Sequence, residues 1–181
     1  MENCIGIQPL GKVDQVMIQY LLDNLPQQFY GPIKLLDEIT PPAEAFDLPR
    51  RQYLSTELLR TVLRARPPEM VKVLGITESD IFIPVFTYVF GEAQLGGPAA
   101  LISLYRLRPE HYGALPNLVR WQERMLKEAF HELGHTFGLI HCPETSCIMF
   151  LSNTIKEIDI KSTNFCPSCT ETLNNSFKKL R

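Results

Sequence analysis

The run His131-Glu132-Leu133-Gly134-His135, continued by Gly138 and His141, constrains this chain more than any other feature. Histidines four positions apart lie on one face of an α-helix, one turn apart, where they suit two corners of a zinc tetrahedron. Glu132 projects beside them, placed to take a proton from metal-bound water without itself occupying the metal. Glycine readily adopts the left-handed backbone that ends a helix and turns the chain, so Gly138 lets His141 swing back as a third ligand. Three histidines leave one tetrahedral position open, as catalysis requires and a structural site does not. The pattern HExxHxxGxxH therefore demands a helix that ends in a tight turn beside its own last turns. Three of the four histidines in the chain sit in it.

The helix that carries the pattern is expected over about 117–138. At about 100° per residue, Leu118, Met125, Leu126, Ala129, Phe130, Leu133 and Phe137 fall on one broad apolar arc. His131 and His135 fall on the other side, in line with Arg124 and Glu128, and so off the core arc. Four of the five cysteines follow closely, as Cys142, Cys147 and the pair Cys166-Pro167-Ser168-Cys169. Four thiolates in two pairs are enough for a closed Cys4 zinc site. Two disulfides, or unmetallated buried thiols, are the other readings of the same residues. Because Cys142 adjoins His141, a metal on the cysteines would brace the chain beside the other metal. Cys4 stands apart in an apolar segment and reads as a small buried hydrophobe.

Upstream, Cys4 to Leu10 reads as a strand and Val13 to Leu25 as a helix with Val13, Val16, Met17, Tyr20, Leu21 and Asn24 near one face. Ile33 to Ile39 reads as a second strand. Ser55 to Arg66 reads as a helix, with Ser55 as N-cap and Pro67-Pro68 ending it. Two further strands are expected at about Ile81 to Phe90 and Ala99 to Leu107, joined by the turn Gly96-Gly97-Pro98. Helices and strands in alternation, then adjacent strands, indicate an α/β (α+β) layer on one twisted sheet. A length of 181 residues suits one domain with at most a small appended lobe.

His131 to His141, followed by Cys142, Cys147, Met149, Cys166 and Cys169, resembles the signature of the archaemetzincins, a branch of the metzincin zinc peptidases. Weaker likeness extends upstream through Tyr88-Val89-Phe90-Gly91-Glu92-Ala93 and Leu101-Ile102-Ser103-Leu104-Tyr105-Arg106. The resemblance implies a twisted mixed sheet with an antiparallel edge strand lining the cleft and packed on the active-site helix; Ala99 to Leu107 is the best candidate for that edge. It further implies an N-terminal subdomain at 1–141 and a C-terminal one at 142–181 holding the Cys4 zinc lobe. His131, His135 and His141 would bind a catalytic zinc with Glu132 as general base. Cys142, Cys147, Cys166 and Cys169 would bind a second, structural zinc. Met149, eight residues past His141, would form the Met-turn, an apolar floor beneath the zinc histidines. The implied function is a zinc metallopeptidase that hydrolyses peptide bonds in a peptide or protein substrate.

Composition narrows the partners. Net charge is −2 with 45% hydrophobic and 21% charged residues, ordinary for a folded domain and unsuited to one built around nucleic-acid phosphates. The longest apolar run, Ile81 to Phe90, is interrupted by Pro84 and falls far short of the ~20 residues of a membrane span. The N-terminus lacks the basic start and apolar stretch of a secretory signal, so a cytoplasmic monomer is expected, where thiols stay reduced. A basic stretch over residues 50–72 reads as a solvated helix face. Against the peptidase stands a non-catalytic, zinc-stabilised module that uses the Cys4 lobe and this stretch to bind protein or RNA. The intact Glu132 argues against it, since a structural site has no use for that carboxylate.

Overall fold

The computed structural model describes residues 4–179; residues 1–3, where the N-terminal segment and the first subdomain begin, and residues 180–181, where the second ends, lie outside the described residues. In chain order the elements are β1 (Cys4–Pro9), α1 (Gln15–Asn24), β2 (Ile33–Leu35), β3 (Phe46–Asp47), β4 (Gln52–Leu54), α2 (Ser55–Ala65), β5 (Met70–Thr77), β6 (Ile81–Phe82), β7 (Gly91–Ala93), β8 (Ala99–Ser103), α3 (Leu118–Thr136), α4 (Ile155–Ile160) and α5 (Pro167–Lys179). The main sheet has the order β2-β1-β5-β8-β7, parallel throughout except for β7, which runs antiparallel to β8 at the edge. This is the expected mixed sheet with an antiparallel edge strand.

Alternation along the inner strands sorts their side chains between two helical layers. Leu74 and Ile76 of β5 and Ala100 and Ile102 of β8 join one core with Met17 and Leu21 of α1 and Met125, Ala129, Phe130 and Leu133 of α3. Val73, Ala99 and Leu101 face the opposite side and pack on Leu58, Leu59 and Val62 of α2. Helices thus cover both faces, as a largely parallel sheet requires.

Three expectations need correction. Periodicity assigns no strand to residues 67–80, yet β5 there is the central strand. Being buried on both faces it has no polar alternation, and Lys72 interrupts its apolar run. Lys72 is nevertheless buried, because its Nζ donates to the carbonyls of Thr136 at 2.6 Å and Gly97 at 2.9 Å, tying β5 to the end of α3. The expected strand Ile81 to Phe90 shrinks to β6 in a separate small sheet, β3-β4-β6. Pro84 lacks the N–H that a continuous ladder needs. Ala99 to Leu107 is not the edge: β8 ends at Ser103 and pairs on both sides, with β5 and β7. The edge is β7. Smaller differences concern Ser55, which is the first residue of α2 with Leu54 as N-cap, and Val16, which is exposed while Ile18 is buried.

The polar side of α3 is also buried. Arg124, Lys127, Glu128, His131 and Glu132 are all nearly inaccessible, because the segment after His141 folds over them. Arg124 donates through Nε and Nη2 to Asp159 of α4 at 2.7 Å each, and through Nη1 to the Leu107 carbonyl. Lys161, at the end of α4, is fully buried and pairs with Glu128 at 2.8 Å. Helical polarity is a poor guide to exposure where buried charges find partners, as Arg124, Lys127 and Glu128 do. Leu118, counted on the apolar arc, is half exposed in the first turn. On the other flank Phe177 of α5 packs on Phe137 with ring centroids 4.6 Å apart, and Phe29 stacks on Phe137 at 5.4 Å.

Removing one member of the Glu128–Lys161 pair strands the other in the interior. Glu128→Ala is expected to cost about 3–5 kcal/mol of unfolding free energy, and Glu128→Leu with Lys161→Met to restore most of it. Urea unfolding of both variants checks this; equal loss in the single and the double variant would contradict it.

Candidate active site and metal centres

The site begins with the end of α3. Asn117 caps its start, its side chain accepting from Arg120 N–H. At the other end Gly138 stands at φ 88°, Gly138 N–H donates to His135 O at 2.9 Å and Leu139 N–H to Gly134 O at 3.1 Å. That bond pair is the Schellman motif, which the glycine permits because a side chain would resist the left-handed backbone. The chain reverses there and returns His141 to the helix.

The imidazoles meet as the spacing requires. Ring centroids of His131 and His135 lie 4.7 Å apart, those of His135 and His141 4.9 Å, and those of His131 and His141 5.4 Å. His131 Nδ1 lies 2.9 Å from the Ile148 carbonyl and His135 Nδ1 2.7 Å from the Leu139 carbonyl. A carbonyl only accepts, so each Nδ1 carries the hydrogen and each neutral ring presents its Nε2 lone pair. The two Nε2 atoms lie 3.1 Å apart. A metal–nitrogen distance of about 2.0–2.1 Å implies a tetrahedral edge of about 3.3 Å, so two lone pairs aimed at one point fit a zinc ion and would repel one another without a cation or proton between them. Burial lowers the pKa of His131 well below its ordinary value, with Lys161 adding to the effect, and lowers that of His135. Both changes favour the neutral ligand.

Glu132 is buried beside them. Desolvation pushes its carboxyl well above the usual carboxylate range, the Glu128 carboxylate adds to the push, and the Lys161 ammonium opposes it. A cleft of about 740 Å³ opens over these groups, lined by Phe86 to Ala93, by His131, Glu132, His135 and His141, and by Ile140 and Leu151 to Asn153. Its rim is apolar, with Phe86, Leu95, Ile140 and Leu151 exposed. Met149 is fully buried against α3: a Cβ at Gly134 would come 2.6 Å from its Sδ, so the helix and the methionine touch at that turn.

The cysteines form a second centre directly behind. Sγ of Cys142 and Cys166 are 3.8 Å apart, and the four sulfurs lie within 4.8 Å of one another, as do the donor atoms of the three histidines. All four thiols are free. With a zinc–sulfur distance of about 2.3 Å a tetrahedral edge is about 3.8 Å, so the spacing fits a thiolate-bound zinc and is too wide for a disulfide. Cys166 stands at the start of α5, with Pro167 in the first turn. The Cys169 N–H, followed by the neighbouring thiols, lowers the Cys166 pKa, whereas burial raises those of Cys147 and Cys169. Cys142 N–H donates to Met149 O at 2.9 Å, which links the two centres through the backbone. Cys4 is buried in β1 and belongs to neither cluster.

The profile of peptidase family M54 matches residues 31–175. The chain belongs to this family, the archaemetzincins. It is 42% identical to the archaemetzincin of Methanocaldococcus jannaschii over 94% of this chain and 93% of that one. The crystal structure of the archaemetzincin from Methanopyrus kandleri superposes with a TM-score of 0.85 at 34% identity, covering 97% of this chain and 95% of that one. That from Archaeoglobus fulgidus gives 0.81 at 36%, covering 93% and 99%. As an archaemetzincin the chain is a zinc metallopeptidase, a hydrolase of peptide or protein substrates. Among the described residues no helix is long and apolar enough to cross a membrane.

Beyond the predicted residues, the site includes groups that spacing alone does not reveal: Gly91 and its neighbours along the cleft, and the Glu128–Lys161 pair beneath Glu132. The upstream likeness contains Gly91, but nothing in the sequence marks its contact with the helix. The turn itself is testable. No atom lies within 4 Å of a Cβ at Gly138, so Gly138→Ala meets only backbone resistance, about 1–2 kcal/mol. It should lower thermal stability by that amount and weaken zinc binding at the histidines, measured by competition with a chromophoric chelator; unchanged affinity would contradict this account of the turn.

Proposed function

We propose that this archaemetzincin cuts peptide bonds at the histidine centre with Glu132 as general base, and that it carries two zinc ions with separate tasks. His131, His135 and His141 hold the catalytic ion; Cys142, Cys147, Cys166 and Cys169 hold a structural one. When bound at three imidazoles, zinc supplies a Lewis acid that acidifies water and polarises a peptide carbonyl. The residues of the chain do the rest. Glu132 receives the proton of the attacking water on its carboxylate and returns it to the departing amine nitrogen. The Ile148 and Leu139 carbonyls keep the first two imidazoles in the ligating tautomer. Met149 packs under them as the floor. The free edge of β7 offers main-chain groups along which an extended peptide adds as a strand.

One observation carries the reading: two converging Nε2 lone pairs beside a buried carboxylate, in a cleft bounded by an unpaired strand edge. The cleft lies between the proposed subdomains, with the helix and sheet on one side and the segment after Cys142 on the other. Free thiol ligands suit a reducing compartment such as the cytoplasm.

Elemental analysis should give two zinc ions per chain, with mild chelation removing the histidine-bound ion first. Glu132→Ala should keep both ions and the fold while losing about 10²–10⁴-fold in peptide turnover. Turnover by parent and variant at matched zinc content is the deciding measurement. Equal rates would remove Glu132 from the mechanism, and a parent that cuts no member of a broad peptide library would favour the binding module.

A further inference from the structure

Three features meet at the start of β7. First, among the described residues β7 is the outer strand, paired only with β8, in the register Gly91 with Ile102, Glu92 with Leu101 and Ala93 with Ala100. Ser103 N–H donates to Phe90 O and Gln94 N–H to Ala99 O. In an antiparallel ladder hydrogen-bonded pairs alternate with unbonded ones, so Phe90, Glu92 and Gln94 bond to β8. The N–H and C=O of Gly91 and Ala93 consequently point away from it, toward the free edge. Second, side chains alternate across the sheet. The Glu92 carboxylate lies on the α2 side, where it accepts from the hydroxyls of Ser55 and Thr56. Position 91 therefore faces α3. Third, a Cβ at Gly91 would lie 2.6 Å from Glu132 Cγ, 2.7 Å from Glu132 Oε1 and 2.7 Å from the Leu101 carbonyl oxygen. Real side chains do not pack at such distances, so the Glu132 side chain occupies the space that any residue other than glycine would fill.

We infer that Gly91 is the positioning residue for Glu132: it lets the carboxylate lie directly against the cleft strand, at the point of the edge where the Gly91 main chain holds the substrate. The inference rests on Glu132 as general base and adds the register of the reaction. A peptide paired along β7 has the backbone opposite Gly91 next to the carboxylate that handles the proton, so the bond to be cut is selected by main-chain register. Alanine at 91 keeps the N–H and C=O, and so keeps the strand pairing with substrate, but displaces Glu132. An offset of about 1 Å in a reacting group can cost about 10²-fold in rate.

The contact and its consequence are separable in a double-mutant cycle of Gly91→Ala and Glu132→Ala on the zinc-loaded chain. The clash with the Leu101 carbonyl is common to both backgrounds and cancels; the clash with Glu132 exists only in the parent background. Gly91→Ala should lower the melting temperature by about 4 °C or more in the parent, and clearly less in the Glu132→Ala background. In turnover, Gly91→Ala should retain both zinc ions and the parent KM while kcat falls about 10–10²-fold. Equal melting shifts in the two backgrounds, or an unchanged kcat, would overturn the inference. If Gly91→Ala folds only when combined with Glu132→Ala, the coupling is confirmed. If neither folds, the Leu101 carbonyl alone demands the glycine and the inference fails. Parent-like turnover by Glu132→Ala would instead overturn the general-base assignment, with the melting cycle still deciding whether the contact exists.

Discussion

Two main-chain carbonyls organise the site. Ile148 O and Leu139 O each take the Nδ1 hydrogen of an imidazole, and in doing so aim the Nε2 lone pairs of His131 and His135 at a single point. Neither carbonyl belongs to the helix that carries the histidines. Leu139 O is available because the chain reverses at Gly138, and Ile148 O because the segment around Met149 is held under α3. Loss of such an outer partner typically costs about 10–100-fold in metal affinity. The turn and the methionine segment are therefore parts of the candidate metal site.

In the proposed reading the thiol centre, once it holds zinc, keeps that second segment in place. Residues 142–166 contain little regular structure apart from α4, and their positions are set by the cysteine cluster, by Cys142 N–H on Met149 O, and by Ile148 N–H on Asn164 O. Lys161 and Asp159 then pin α4 to the polar side of α3. This cover desolvates Glu132 and puts the Lys161 ammonium behind the site, where it opposes the upward pressure of burial and of Glu128 on the Glu132 carboxyl. Stability and chemistry thus share the same buried charges.

The two clusters of candidate ligands were legible in the chain because their geometry is local. Four-residue spacing on a helix, a glycine three residues on, and paired cysteines need no knowledge of the rest of the molecule. Membership of a mixed α/β fold was also legible, from the order of strands and helices. What escaped was whatever depends on neighbours distant in sequence. Central β5 is apolar on both faces and interrupted by a lysine whose partners are the carbonyls of Thr136 and Gly97. The edge position passed from β8 to β7 because strand order is a property of the sheet. His131, Arg124 and Glu128 lie on a polar helix face that is buried all the same, because α4 brings the matching charges. The contact between Gly91 and Glu132 is of this kind too.

The central claim is that the cysteine centre holds the histidine centre in working geometry through the peptide bond between His141 and Cys142 and the backbone around Met149. The most direct test is the zinc affinity of the three-histidine site in Cys166→Ser, which touches no ligand of that site. The account predicts loss of the thiol-bound ion, a lower melting temperature, and weaker zinc binding at the histidines than in the parent. A variant that loses the thiol-bound ion and still binds the other with parental affinity would contradict it.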